Sequence, residues 1–294
     1  MLASYSFRWL GKGDRGGMMD SFRDSNRRFI QQNPDFVKEI QKIRDLEKFL
    51  SDFGFLTFGR DLVFHGKTVF SLQKIIVSLE LTAGNIASCC EHGCMADANT
   101  LLRKFRDDAF FYVYIAAFYA HSHDGDVEET AKMKKQIDRW ISNEQKDLHI
   151  GEVFTSLAKI PEIRRAVGKY GLKEFFDKMG NRLNNYVHSN GVLFYNENLI
   201  PNQGEGFLEH LGATVQDMRF IATSFMFLLA LCAPLYIMAH DYIDYLDCGD
   251  DPPEEAQYWV APFVVDFFRK NKDLIDPGCV RSLQEETGMK LEDG

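Results

Sequence analysis

LKEFFDKMGNRLNNYVHSNG, residues 172–191, reads as one helix with two chemically different faces. Phe175, Met179 and Leu183 recur every four residues, with Phe176 and Val187 beside them, and this spacing predicts a core stripe. Asn181, Asn185 and His188 fall at i, i+4 and i+7 on another face, and Arg182 stands three residues before Asn185. Gly191 is placed to stop the helix in a left-handed conformation. Asparagine is a poor helix former, because its amide competes for backbone hydrogen bonds. Asparagines at 181, 184 and 185 therefore point to a polar site at the helix end. A solvated outer face with a capping histidine is the alternative.

The segments around this helix predict its packing partners. From Thr68 to Cys90, Val69, Leu72, Ile76, Leu79 and Ala83 follow the helical period. After Gly93, a second helix runs from Ala96 to Tyr119 and contains LLRKFRDDAFF, so the two form an antiparallel pair. Arg103, Arg106, Asp107 and Asp108 sit on the polar part of that otherwise apolar helix, as a buried ion-pair network or as support for the site. Ala213 to Leu246 reads as one long helix kinked at Pro234. Residues 220–239 carry no charge and meet the length criterion for a membrane span. Thr223, Ser224, Cys232 and Pro234 interrupt them, however, and His240-Asp241 follows at once. The stretch is read as the central buried helix of an all-α domain.

The remaining boundaries follow. Residues 1–19 are basic and Gly-rich, a disordered arm or the product of a start codon chosen too early. Residues 20–66 hold a helix that starts at Asn33-Pro34-Asp35, followed by an aromatic packed loop or small strand pair over 53–66. Residues 67–247 make the helical domain. Residues 248–294 read as a linker, one short aromatic helix and a polar, frayed tail.

The chain has 294 residues, 45% of them hydrophobic, enough for one large or two modest domains. Its net charge of −9 excludes a non-specific DNA binder that relies on overall basicity. A nucleic-acid role must rest on local patches, such as Lys132, Lys134 and Lys135 or Arg164, Arg165 and Lys169. Six cysteines (Cys89, Cys90, Cys94, Cys232, Cys248 and Cys279) lack framework spacing, which favours a reducing cytoplasm. CCEHGC at 89–94, with His121 and His123 later, offers zinc-ligand types, but the spacing matches none of the usual two-pair patterns. Neither a metal nor a cofactor is assigned.

The order of parts resembles a HEPN domain, a helical-bundle family of prokaryotic defence, abortive-infection and toxin–antitoxin proteins. The resemblance rests on Arg182-Leu-Asn-Asn-Tyr-Val-His188 near a helix end, an Arg-to-His spacing like the family's, and on LLRKFRDDAFF as its partner helix. It covers roughly residues 68–246. It implies metal-independent endoribonuclease activity, with Arg182 and His188 catalytic and Asn181, Asn184 and Asn185 binding or orienting phosphate. Arg103, Arg106 and Asp107 would give support. The partners implied are RNA, a second copy in a homodimer, and an antitoxin or other defence-system protein; a membrane is not expected. The residue after the motif Arg is often polar in active members and here is Leu183. A non-catalytic HEPN-like module that binds a nucleotide or a protein is therefore the alternative function.

Overall fold

The computed structural model describes residues 15–60, 62–65, 68–121, 127–144, 150–188, 190–198, 205–253, 259–289 and 291. The protein is an all-α helical bundle with a two-stranded hairpin inserted near its N-terminal end. Helix α1 spans Arg15–Gln32 and α2 spans Pro34–Leu56. Asn33 separates them: its side chain accepts a hydrogen bond from the Asp35 amide, and Pro34 opens α2, where a missing N–H costs nothing. Phe36, Ile40, Ile43, Leu46, Leu50 and Phe53 make the buried stripe of α2. Residues 15–19, part of the expected arm, belong to α1; the rest of that arm lies outside the described residues.

The chain then forms β1, Leu62–His65, and β2, Thr68–Ser71, paired antiparallel with Leu62 opposite Ser71 and His65 opposite Thr68. The next helix, α3, therefore begins at Gln73 rather than Thr68. Thr68, Val69 and Phe70 are β-branched or aromatic and fit a strand better than a first helical turn. Helix α3 runs Gln73–Glu91 and α4 runs Met95–His121, reversed by a short turn in which Gly93 takes φ +77.

Helix α4 is the axis of the bundle. Its residues Phe110, Tyr112, Val113, Tyr114, Ile115, Ala116 and Ala117 are fully or almost fully buried. Burial on every side requires neighbours on every side. These are α3, α6 (Ile150–Leu157), α8 (Leu172–Val187) and α10 (Glu205–Cys232), with α5 (Val127–Ile141) adding a lighter contact. Trp140 of α5 packs on Phe70 of the hairpin and Phe111 of α4. Helix α7, Pro161–Lys169, leads into α8.

The expected helix over 213–246 is two helices. Helix α10 starts earlier, at Glu205, and stops at Cys232. Pro234 ends it rather than kinking it. A 3-10 turn follows over Pro234–Ile237, Met238 pairs with Val260 across a single bridge, and α11 runs His240–Cys248. The cause is the lost amide together with the ring's clash against the preceding turn. Gly206–Cys232 is long and apolar enough to cross a membrane, and 83% of its apolar window is buried inside the protein, against α4 and α2 in particular. Beyond the segment expected as linker come two helices, α12 (Pro262–Asn271) and α13 (Pro277–Thr287). Cys279, Leu283, Met289 and Leu291 are buried, and α13 packs on α10, so this end of the chain belongs to the core.

Candidate functional site

Helix α8 lies across α4 with Leu172, Phe176, Met179, Gly180, Leu183 and Tyr186 buried. The expected stripe is shifted by part of a turn. Phe175 and Val187 are over a third exposed, and Tyr186 takes the place expected of Val187. Gly180 makes this crossing close: a Cβ there would stand 2.6 Å from Arg106 Nη1. Arg106 is itself buried and donates from Nε and Nη2 to Asp107 Oδ1 at 2.8 and 2.6 Å. Asp107 Oδ2 lies 3.6 Å from Arg103 Nε. The three supporting residues thus form one ion-paired row on α4 at the α8 crossing. Gly180→Ala is expected to destabilise the fold by about 1–3 kcal/mol, because a guanidinium pinned by Asp107 has little room to retreat. An unchanged melting temperature would show that Arg106 moves freely.

Arg182 follows Gly180 on α8, just past the close crossing. Its guanidinium donates from Nη1 to Asn99 Oδ1 at 3.0 Å and from Nη2 to Asp217 Oδ2, so one side chain of α8 is tied to both α4 and α10. Asn99 is fully buried, and its amide nitrogen donates to the Met95 carbonyl at 2.9 Å and reaches Thr214 Oγ1 at 3.5 Å. Burial pushes the Asp217 carboxyl up from its ordinary range, and the Arg182 guanidinium pulls it back only in part. The Arg182 side chain keeps 36% of its surface exposed.

One turn further, Tyr186 Oη stands 3.4 Å from His210 Nε2, which stands 3.7 Å from Glu197 Oε2. Burial first, and then Glu197, push the Tyr186 phenol up to about 12, against the opposing pull of Arg182. Glu197 follows the short helix α9, Val192–Asn196, and the next residue anchors it: Asn198 Oδ1 accepts from the amides of Ala96 and Asp97 at the start of α4.

His188 caps the C-terminus of α8, its amide donating to the Asn184 carbonyl at 3.0 Å while its imidazole is exposed. The helix therefore ends before Gly191, which takes φ +147 beyond it. Asn181 is exposed. Asn185 Oδ1 accepts from Asn190 Nδ2 at 3.2 Å, and Asn184 Oδ1 is buried with no hydrogen-bond partner among the described residues. None of the three is hydrogen-bonded to Arg182 or to the His188 ring among the described residues. Cys90 lies in the core, His123 falls outside the described residues, and among those described no three His, Cys, Asp or Glu side chains converge as metal ligands would.

Asn99, Tyr186, Glu197, His210 and Asp217 were not singled out from the sequence. A signal for two of them exists. His210, Thr214 and Asp217 lie at i, i+4 and i+7, a polar stripe that becomes visible once α10 is started at Glu205. The fold and site together define a helical bundle with an arginine-centred polar cluster at the meeting of three helices. No protein-family model, curated protein or solved structure matches the chain.

Proposed function

We propose that the protein is a HEPN-type, metal-independent endoribonuclease of prokaryotic defence, acting in the cytoplasm. The observation that carries this reading is that an oriented, partly exposed guanidinium, Arg182, and an exposed imidazole, His188, stand near the end of the same helix. In the proposed reaction the ribose 2′-oxygen attacks the adjacent phosphate, the bond to the 5′-oxygen breaks, and a 2′,3′-cyclic phosphate is left. His188 takes the 2′-hydroxyl proton, for which an imidazole has a suitable reference pKa. Arg182 offers N–H donors to the crowded phosphate. Asn181, Asn184 and Asn185 stand on the same helix and, in this reading, orient the phosphate. Total cellular RNA run on a gel after expression of the wild type and of His188→Ala tests this reading: fragments are expected with the first alone.

A second reading has its own support. Arg182 already gives hydrogen bonds to Asn99 and Asp217, which suits a structural lock in a non-catalytic module that binds a nucleotide or a restraining partner such as an antitoxin. Intact RNA in both gel lanes favours it.

The endoribonuclease reading also proposes a two-fold homodimer that brings two helix ends together. Light scattering is expected to give a mass near twice 33.8 kDa. A monomer at micromolar concentration that still cuts RNA removes the dimer from the proposal.

A further inference from the structure

Packing brings a different imidazole to the Arg182 side of α8. Arg182 and Tyr186 are one turn apart, within about 40° of each other around the helix, whereas His188 is about 120° from Arg182. Tyr186 leads to His210, and His210 Nε2 faces Glu197 Oε2 at 3.7 Å. Glu197 is only 7% exposed, and Oε2 accepts no hydrogen bond among the described residues. A buried carboxylate is costly without donors, and the Tyr186 phenol and the His210 imidazole are the groups placed against it. The His210 side chain is 27% exposed, and Nδ1 makes no hydrogen bond among the described residues. Nε2 is held by the Tyr186 phenol at 3.4 Å with the Glu197 carboxylate just behind at 3.7 Å, and Nδ1 is left for a substrate, as in an imidazole oriented for proton transfer. The titratable groups placed against it are Tyr186 and Glu197, and Arg182 faces Tyr186 in turn.

We propose that His210, oriented by Glu197, is the general acid of this site, an inference that rests on the endoribonuclease reading. As the 2′-oxygen bonds to phosphorus and its proton passes to His188, the 5′-oxygen departs with the electron pair of the broken P–O bond. The imidazolium of His210 gives that oxygen its Nδ1 proton. One chain then holds the base, the acid and the phosphate-binding cation, and the acid need not come from a second copy. Glu197 is a positioning residue that fixes the imidazole's orientation.

Two measurements on the full chain test this. In the first, the His210 ring resonance, assigned by its loss in His210→Gln, is followed as the non-cleavable dinucleotide 2′-deoxyuridylyl-(3′→5′)-adenosine is added. The resonance is expected to shift; an unmoved signal overturns the inference whether or not RNA is cut. In the second, single-turnover cleavage of a short RNA is followed from about pH 5 to about pH 9. His210→Gln is expected to lower the rate on the order of 10²-fold and to remove the alkaline fall in the profile, where a required acid deprotonates. Glu197→Gln is expected to lower the single-turnover rate at saturating RNA and leave the half-saturating RNA concentration unchanged, because Glu197 holds the imidazole and does not touch the substrate. A purely structural role would lower the melting temperature without moving the profile. A wild-type rate and profile in folded His210→Gln overturn the inference. A His210 resonance that shifts while the wild type cuts no RNA overturns the endoribonuclease reading and keeps His210 as a ligand-contacting group.

Discussion

His188→Ala is expected to lower RNA cleavage by about 10²–10⁴-fold, the usual worth of a positioned proton-transfer group. The fold should scarcely notice. The imidazole is exposed at the helix end, and the hydrogen bond that His188 makes there comes from its backbone amide, which alanine retains. Surface changes of this kind stay within about 0.5 kcal/mol. Melting temperature and cleavage measured on one preparation therefore separate chemistry from stability. The mechanism routes no step through a metal, so EDTA is expected to leave the rate unchanged. Full activity in folded His188→Ala would end the assignment, and sensitivity to EDTA would end the metal-independent mechanism.

The helical nature of the chain was legible because α2, α3 and α8 each bury a stripe of apolar residues at helical spacing, and that spacing survives in sequence. Boundaries were less legible. At Thr68–Ser71 and at Pro234 a local preference, β-branching in one and a missing amide in the other, overrode a periodic pattern that ran through both. The site was half legible. Arg182 and His188 share a helix, so their spacing could be read directly. Asn99 and Asp217 are separated from Arg182 by 83 and 35 residues, and no local pattern announces a partner brought by tertiary packing. Placing the start of α10 at Ala213 also left His210 outside the helix that carries it toward Tyr186.

Arg182→Ala is expected to cost both stability and activity, and the two losses can be pulled apart. Truncation leaves the largely buried Asp217 carboxylate without its cation and the Asn99 carbonyl without its donor, for about 1–3 kcal/mol. Asp217 already has a folded-state pKa raised above its ordinary value, chiefly by burial, and losing Arg182 raises it further. A raised carboxyl pKa means that the folded state holds the proton more tightly than the unfolded state. Stability from this group is therefore regained as pH falls through the raised value and lost as pH rises through it. The melting deficit of Arg182→Ala should accordingly shrink on acidification. Adding Asp217→Asn removes the unpaired charge, so the double variant is expected to recover much of the melting temperature at neutral pH. It should not recover cleavage, because the phosphate still lacks its guanidinium. Arg182→Lys should retain part of both, since it keeps the charge and loses the planar fork. If the double variant melts and cleaves like the wild type, Arg182 serves only to join α4, α8 and α10.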